Sequence, residues 1–175
     1  MRTLAILALS VLLAGCGFHP LYATPDLPNG GMRDRLAAIY VEPVPERVGY
    51  QLRNQLIDLL DGQSQAAGAR YILRINLTTK SEAVGVQSQT APGGVTQTAI
   101  TRYNDKLTAE YDLVDPKTDA VIAHGVETGL SSYNVLGSPY ATLSVQQDAD
   151  RRAAEDIADR IRIDLAVWFA QQAKR

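Results

Sequence analysis

Leu13-Ala14-Gly15-Cys16 places an aliphatic residue and two small residues directly before the only cysteine of this 175-residue chain. That spacing points to lipid attachment followed by cleavage, because a diacylated cysteine must reach its peptidase beside a narrow backbone. Arg2 supplies a positive n-region and Leu4 to Leu13 an apolar h-region, the layout of a secretory signal over residues 1–15. At roughly ten residues the run is too short to span a bilayer, which needs about 20. A lone thiol would otherwise be left in an oxidising compartment. Cys16 is therefore expected to carry the acyl chains, palmitate among them, and to tie the chain to a membrane. One acyl chain holds weakly, so stable anchoring requires a multiply acylated cysteine.

Other reactive chemistry is sparse. His19 and His124 are the only histidines, too few and too far apart for a metal motif, and no H-E-x-x-H, P-loop or G-x-S-x-G occurs. Asp148, Asp150, Glu155, Asp156 and Asp159 cluster in sequence, but helical spacing spreads them over a face interleaved with arginines. Pro92-Gly93-Gly94 is a turn and not a phosphate cradle, because its glycines open no helix. The expectation is a chain with no catalytic residues, no metal and no cofactor, and so not an enzyme. The chain carries 17 Lys+Arg and 19 Asp+Glu; loss of Arg2 leaves 16 against 19. That balance gives no electrostatic footprint for nucleic acid.

The elements that would position any site follow from periodicity. Ala23 to Asp34 holds two prolines and adjacent glycines without a period, so residues 16–35 read as lipidated N-terminus and tether, and residues 36–175 as one domain. Ile39 to Glu42 is a short strand stopped by Pro43 and Pro45. Leu52, Leu56, Leu59 and Leu60 mark an amphipathic helix that Gly62 can end. Two alternating runs then lie symmetrically about Pro92-Gly93-Gly94. Pairing residues whose numbers sum to 186 sets Leu73 opposite Leu113, Ile75 opposite Tyr111 and Leu77 opposite Ala109 on one face. The other face then carries Arg74 opposite Asp112 and Thr78 opposite Thr108. Beyond Lys80 the apolar phase shifts to Val84, Val86 and Ile100, which predicts a bulge below a polar, uncharged Gln/Ser/Thr tip. Val121 to Leu130 reads as a fourth strand broken by Gly125 and Gly129. From Thr142 a four-residue recurrence through Ala149, Ala153, Ile157, Ile161, Leu165 and Phe169 predicts a long helix, with Asp148/Arg152 and Asp156/Arg160 paired along it. Trp168 and Phe169 are expected in the core. The fold class is α+β: two helices packed on one face of a four-stranded mixed sheet, in the order β-α-β-β-β-α.

Cys16-Gly17-Phe18-His19-Pro20-Leu21-Tyr22 resembles the opening of the LptE family of lipopolysaccharide-assembly lipoproteins. Ser132-Tyr133-Asn134-Val135 and Ser138-Pro139-Tyr140-Ala141 are similar to that family's last strand and helix entry. The resemblance implies two helices on a four-stranded sheet, docked as a plug in the outer-membrane β-barrel LptD, helping it assemble and binding lipopolysaccharide. Gly17 after the cysteine, where an aspartate tends to retain lipoproteins in the inner membrane, implies the outer membrane, periplasmic side. In the family, basic residues near the turn between the second and third strands contact lipopolysaccharide phosphates. Here that turn has no Lys or Arg from Gln87 to Ala99, which leaves Lys80, Arg102 and Lys106 at the hairpin flanks as the candidate contacts. Two other readings remain. A freestanding phospholipid-binding or transport-auxiliary lipoprotein of the periplasm would need an apolar groove. A pilot for another barrel would leave the heptad at Cys16 unexplained.

Overall fold

Strict alternation of apolar side chains builds the long hairpin at the centre of the molecule. The computed structural model describes residues 31–62, 66–90, 92–94 and 96–173. Its elements are α1 (Met32–Ala37), β1 (Ile39–Val41), α2 (Glu46–Leu60), β2 (Tyr71–Thr90), β3 (Thr96–Asp115), β4 (Ala120–Asn134) and α3 (Pro139–Gln172). The sheet order is β1-β2-β3-β4, with β1 parallel to β2 and the other neighbours antiparallel. Leu73, Leu107, Ala109, Tyr111 and Leu113 form one buried cluster with Leu52 and Leu56 of α2 and Ile157, Ile161 and Leu165 of α3. Both long helices therefore cover the same, odd-numbered face of β2 and β3, as the periodicity predicts.

The register is also as predicted. Leu73 faces Leu113, Ile75 faces Tyr111, Leu77 faces Ala109, Arg74 faces Asp112 and Thr78 faces Thr108. Ala83 pairs with Tyr103, Gly85 with Arg102 and Val86 with Ile100, so Val84 and Thr101 are extra residues, one on each strand. The two insertions cancel and the pairing recovers its original register, ending at Thr90 opposite Thr96. Residues 81–90 run on for about 33 Å at strand rise, and almost every side chain there is exposed.

Four details differ from what periodicity alone predicts, two of which, the end of β4 and the start of α3, agree with the family resemblance at residues 132–135 and 138–141. A short helix, α1, occupies residues that read as the end of the tether. Its entry is fixed by the Gly31 N–H donating to Asp34 (3.0 Å), and Leu36 is its buried anchor. Helix α2 ends on Asp61, left-handed at φ 50°, and not on Gly62; a short polar side chain tolerates that conformation. Strand β4 is not broken at its glycines and continues to Asn134. Gly125 admits the Tyr111 ring, whose hydroxyl donates to Asp164 of α3 (3.0 Å). Helix α3 begins at Pro139, before the recurrence at Thr142, because proline suits the first helical position.

Candidate functional site

Strand alternation carries Lys80 and Lys106 to the face away from the helices, and the register makes them direct cross-strand neighbours. Lys106 also pairs with Leu130 on β4, so one row across the sheet reads Lys80, Lys106, Leu130. Both lysines are exposed and neither has an ion-pair partner among the described residues. Like charges so placed repel. Lys80→Glu is expected to raise stability by about 0.5 kcal/mol, read as a higher thermal midpoint at low salt; an unchanged or lower midpoint would show that the repulsion is fully screened. Arg102 does not join the two lysines in one cluster. It lies four residues along β3 from Lys106, at the bulge, paired with Gly85 and Asn134.

Arg102 instead lines a cleft between the edge of the sheet and α3. Gly129 sets the distance between them: a Cβ there would lie 2.9 Å from the Ala153 carbonyl oxygen and 3.0 Å from the Ile157 side chain. Only glycine permits that approach. One residue earlier, Arg160 of α3 donates to the Thr128 carbonyl (3.1 Å) while gripping Asp156 (2.6 Å). Past Gly129 the edge opens into two adjoining clefts. The first, about 330 Å³, includes Leu130, Ser132, Arg152 and Asp156; the second, about 300 Å³, includes Arg102, Ser132, Asn134 and Arg152. Ser132 and Arg152 belong to both. Tyr133 stacks on Tyr103 (centroids 5.7 Å apart, 22° between planes), and the Thr142 hydroxyl ties Leu136 to the first turn of α3. Arg152 pairs with Asp148 (3.2 Å) and Arg160 with Asp156, the two helix pairs expected from spacing. Asp148 also accepts from Arg151 (2.6 Å), which holds its carboxyl below the usual range.

Beneath this groove lies a buried acid pair that the sequence reading did not single out. Asp105 of β3 is fully buried, and neither of its carboxylate oxygens has a hydrogen-bond donor among the described residues. Asp150 of α3 is 7 % exposed, accepts from the Ser131 hydroxyl (3.1 Å) and is within hydrogen-bonding reach of Asp105. Burial raises the Asp150 carboxyl above its ordinary value and Asp105 adds to that, against the pull of Ser131 and the Arg47 charge. Tyr133, beside the pair, is raised by burial and by the same two carboxylates. No cluster of three or more metal-ligating residues occurs among the described residues, so the pair is not part of a recognisable metal centre.

Phe169 is buried, Trp168 packs against it (4.9 Å, edge-on) and both border a cleft of about 440 Å³ with Arg35, Tyr71 and Ile122. The core assignment thus suits Phe169 fully and Trp168 in part. Tyr140 is 84 % exposed. His124 is in hydrogen-bond contact with Asp112 (2.7 Å) on the open sheet face and lies 4.0 Å from Glu110. Cys16, His19 and the heptad after the cysteine lie outside the described residues. No described helix is long and apolar enough to cross a membrane.

With this geometry in view, one known family matches most of the chain, and a relative and solved structures are similar to it in sequence or in fold. Residues 36–165 match the family described as LptE, lipopolysaccharide-assembly. An uncharacterized protein of Rickettsia prowazekii (strain Madrid E) is 24 % identical over 172 residues, covering 98 % of this chain and all of that protein. The crystal structure of a candidate lipoprotein from Caulobacter crescentus CB15 is 28 % identical, with a TM-score of 0.62, and the similarity covers 79 % of this chain and 96 % of that one. Rare lipoprotein B from Shewanella oneidensis shares the fold at 14 % identity, with a TM-score of 0.52 over 77 % and 96 % of the two chains.

Proposed function

The chain belongs to the LptE family of lipopolysaccharide-assembly proteins, and from that premise we propose that it is an outer-membrane lipoprotein, anchored through Cys16 on the periplasmic side, that docks as a plug in the β-barrel LptD. On this reading residues 1–15 are removed, residues 16–35 carry the lipid and tether, and residues 36–175 form the docked domain. The hairpin is the observation that favours it most. Residues 81–90 and 96–100 project beyond the helix-covered core; the tip, Gln87 to Thr90 and Thr96 to Thr98, presents polar, uncharged side chains, Ser88 to Thr98 and Thr90 to Thr96 in contact across the strands, above the exposed Val84, Val86 and Ile100. Barrel lumens are polar, and such a surface can face one without an unpaired charge. A plug of this kind needs no catalytic centre.

Lys80 and Lys106, with Arg102 beyond them, are the proposed contacts for lipopolysaccharide phosphates. An anion between the two lysines would turn their repulsion into attraction. Affinity purification of the mature, lipidated chain from its own envelope tests the docking. One large β-barrel in near-equal amount after a detergent and salt wash is the expected result; an unaccompanied monomer carrying phospholipid would replace the plug with a lipid carrier. In the purified complex, the Lys80→Ala, Lys106→Ala double variant is expected to lose at least tenfold in retained lipopolysaccharide. Equal retention would move the contact away from these residues.

A further inference from the structure

We propose that the outer edge of β4 at Leu130, Ser132 and Asn134 is a strand-addition site for an extended segment of the barrel partner, an inference that rests on the plug reading above. Backbone direction carries it. Thr128 offers its carbonyl outward, to Arg160, whereas the Val135 N–H points inward to the Thr101 carbonyl (2.9 Å). Peptide groups alternate along an antiparallel strand, so even-numbered residues of β4 turn both N–H and C=O to the outside. Arg160 occupies that edge at Thr128. At Leu130, Ser132 and Asn134 no described backbone group pairs with the outward donors and acceptors.

The edge faces the two joined clefts, whose far wall is α3. A donor and acceptor repeating at strand spacing are matched by another extended backbone, not by an acyl chain or a sugar ring. Edge strands are usually blunted by charge, proline or a covering element, and residues 130 to 134 carry neither proline nor charge. Their surroundings define the segment that fits. Leu130 is 74 % exposed and Leu136 43 %, which calls for apolar side chains. Arg102, without an ion-pair partner among the described residues, calls for an acidic one. Gly129 and the Thr142 anchor hold the two ends of the groove apart from the partner, so little ordering cost remains at binding.

The test uses the full, lipidated chain in its own envelope with a photo-crosslinking side chain at Leu130. The expected result is a covalent adduct to one contiguous segment of the co-purifying barrel. Ser132→Pro removes an outward N–H, the one substitution an edge strand accepts without losing its inner ladder. It should cut adduct yield at least tenfold, while Ser132→Ala keeps the N–H and the yield. If Ser132→Pro fails to fold, Arg102→Glu is read instead, with the same expected loss. Adducts to lipid, or to the chain's own residues 16–30, overturn the proposal, as does full yield from Ser132→Pro. A barrel that co-purifies with no adduct at Leu130 refutes strand addition and leaves the plug standing. Absence of any barrel from the unsubstituted chain removes the plug, and this site with it.

Discussion

Gly129→Val is expected to cost about 3 kcal/mol or more, since overpacking a tight contact with a β-branched side chain lies at the upper end of such substitutions. A single Cβ would already sit 2.9 Å from a backbone carbonyl of α3, which cannot rotate away, and 3.0 Å from Ile157 in the centre of the core. The helix or the strand must move. Either motion breaks the Arg160 bond to Thr128 and the Ser131 bond to Asp150, so the groove and the buried acid pair are disturbed together. Gly137→Ala is the matched control, because nothing lies within 4 Å of its added carbon. Chemical denaturation of both variants decides the matter. A Gly129→Val midpoint equal to that of Gly137→Ala would mean that α3 is not held at this distance by β4. If the proposed docking in a barrel holds, Gly129→Val loses that association and Gly137→Ala keeps it.

The hairpin was readable because its information is local and redundant. Leu73, Ile75 and Leu77 must meet Leu113, Tyr111 and Ala109, and a slip of one residue towards the turn sets Leu73 against Asp112. The phase shift at Val84 announced the bulge for the same reason. By contrast, α1 offers one buried leucine in six residues, too little for a period to show. Periodicity does not reach the last third of β4, which only the family resemblance places: Ser131 is buried on an acid partner and Ser132 and Asn134 face outward, so polarity no longer alternates. The β4 glycines look like strand breakers until Tyr111 and Ile157 are seen filling their space. Asp105 was visible in principle, since it continues the odd-numbered core face of Leu107, Ala109, Tyr111 and Leu113. The groove was not, because Arg102, Ser132 and Arg152 come together only when α3 folds back along the sheet edge.

Asp105→Asn should stabilise the chain, by about 1 to 3 kcal/mol near neutral pH, the cost of a buried polar group left without its partner. In the native chain two carboxyl groups share a buried site in which the Ser131 hydroxyl donates to Asp150. An amide at position 105 brings an N–H that Asp150 can accept, and removes one charge. The pH dependence gives the sharper reading. The Asp150 carboxyl is raised in the folded chain, chiefly by burial, so folding favours its protonated form. Its contribution is full below the ordinary aspartate value of about 3.9 and is lost as pH rises through the raised value. Ser131 and Arg47 act against this loss and Asp105 deepens it. Thermal melts of the native chain are therefore expected to fall as pH climbs from that window towards neutrality, and those of Asp105→Asn to fall less. Parallel curves would show that Asp105 does not govern the titration of Asp150. A lower midpoint for Asp105→Asn at every pH would mean that the acid itself supports the fold. If stability rises while barrel association falls, the buried pair is retained for docking at the expense of the isolated chain, because a site that breaks a packing rule is usually one that function has kept.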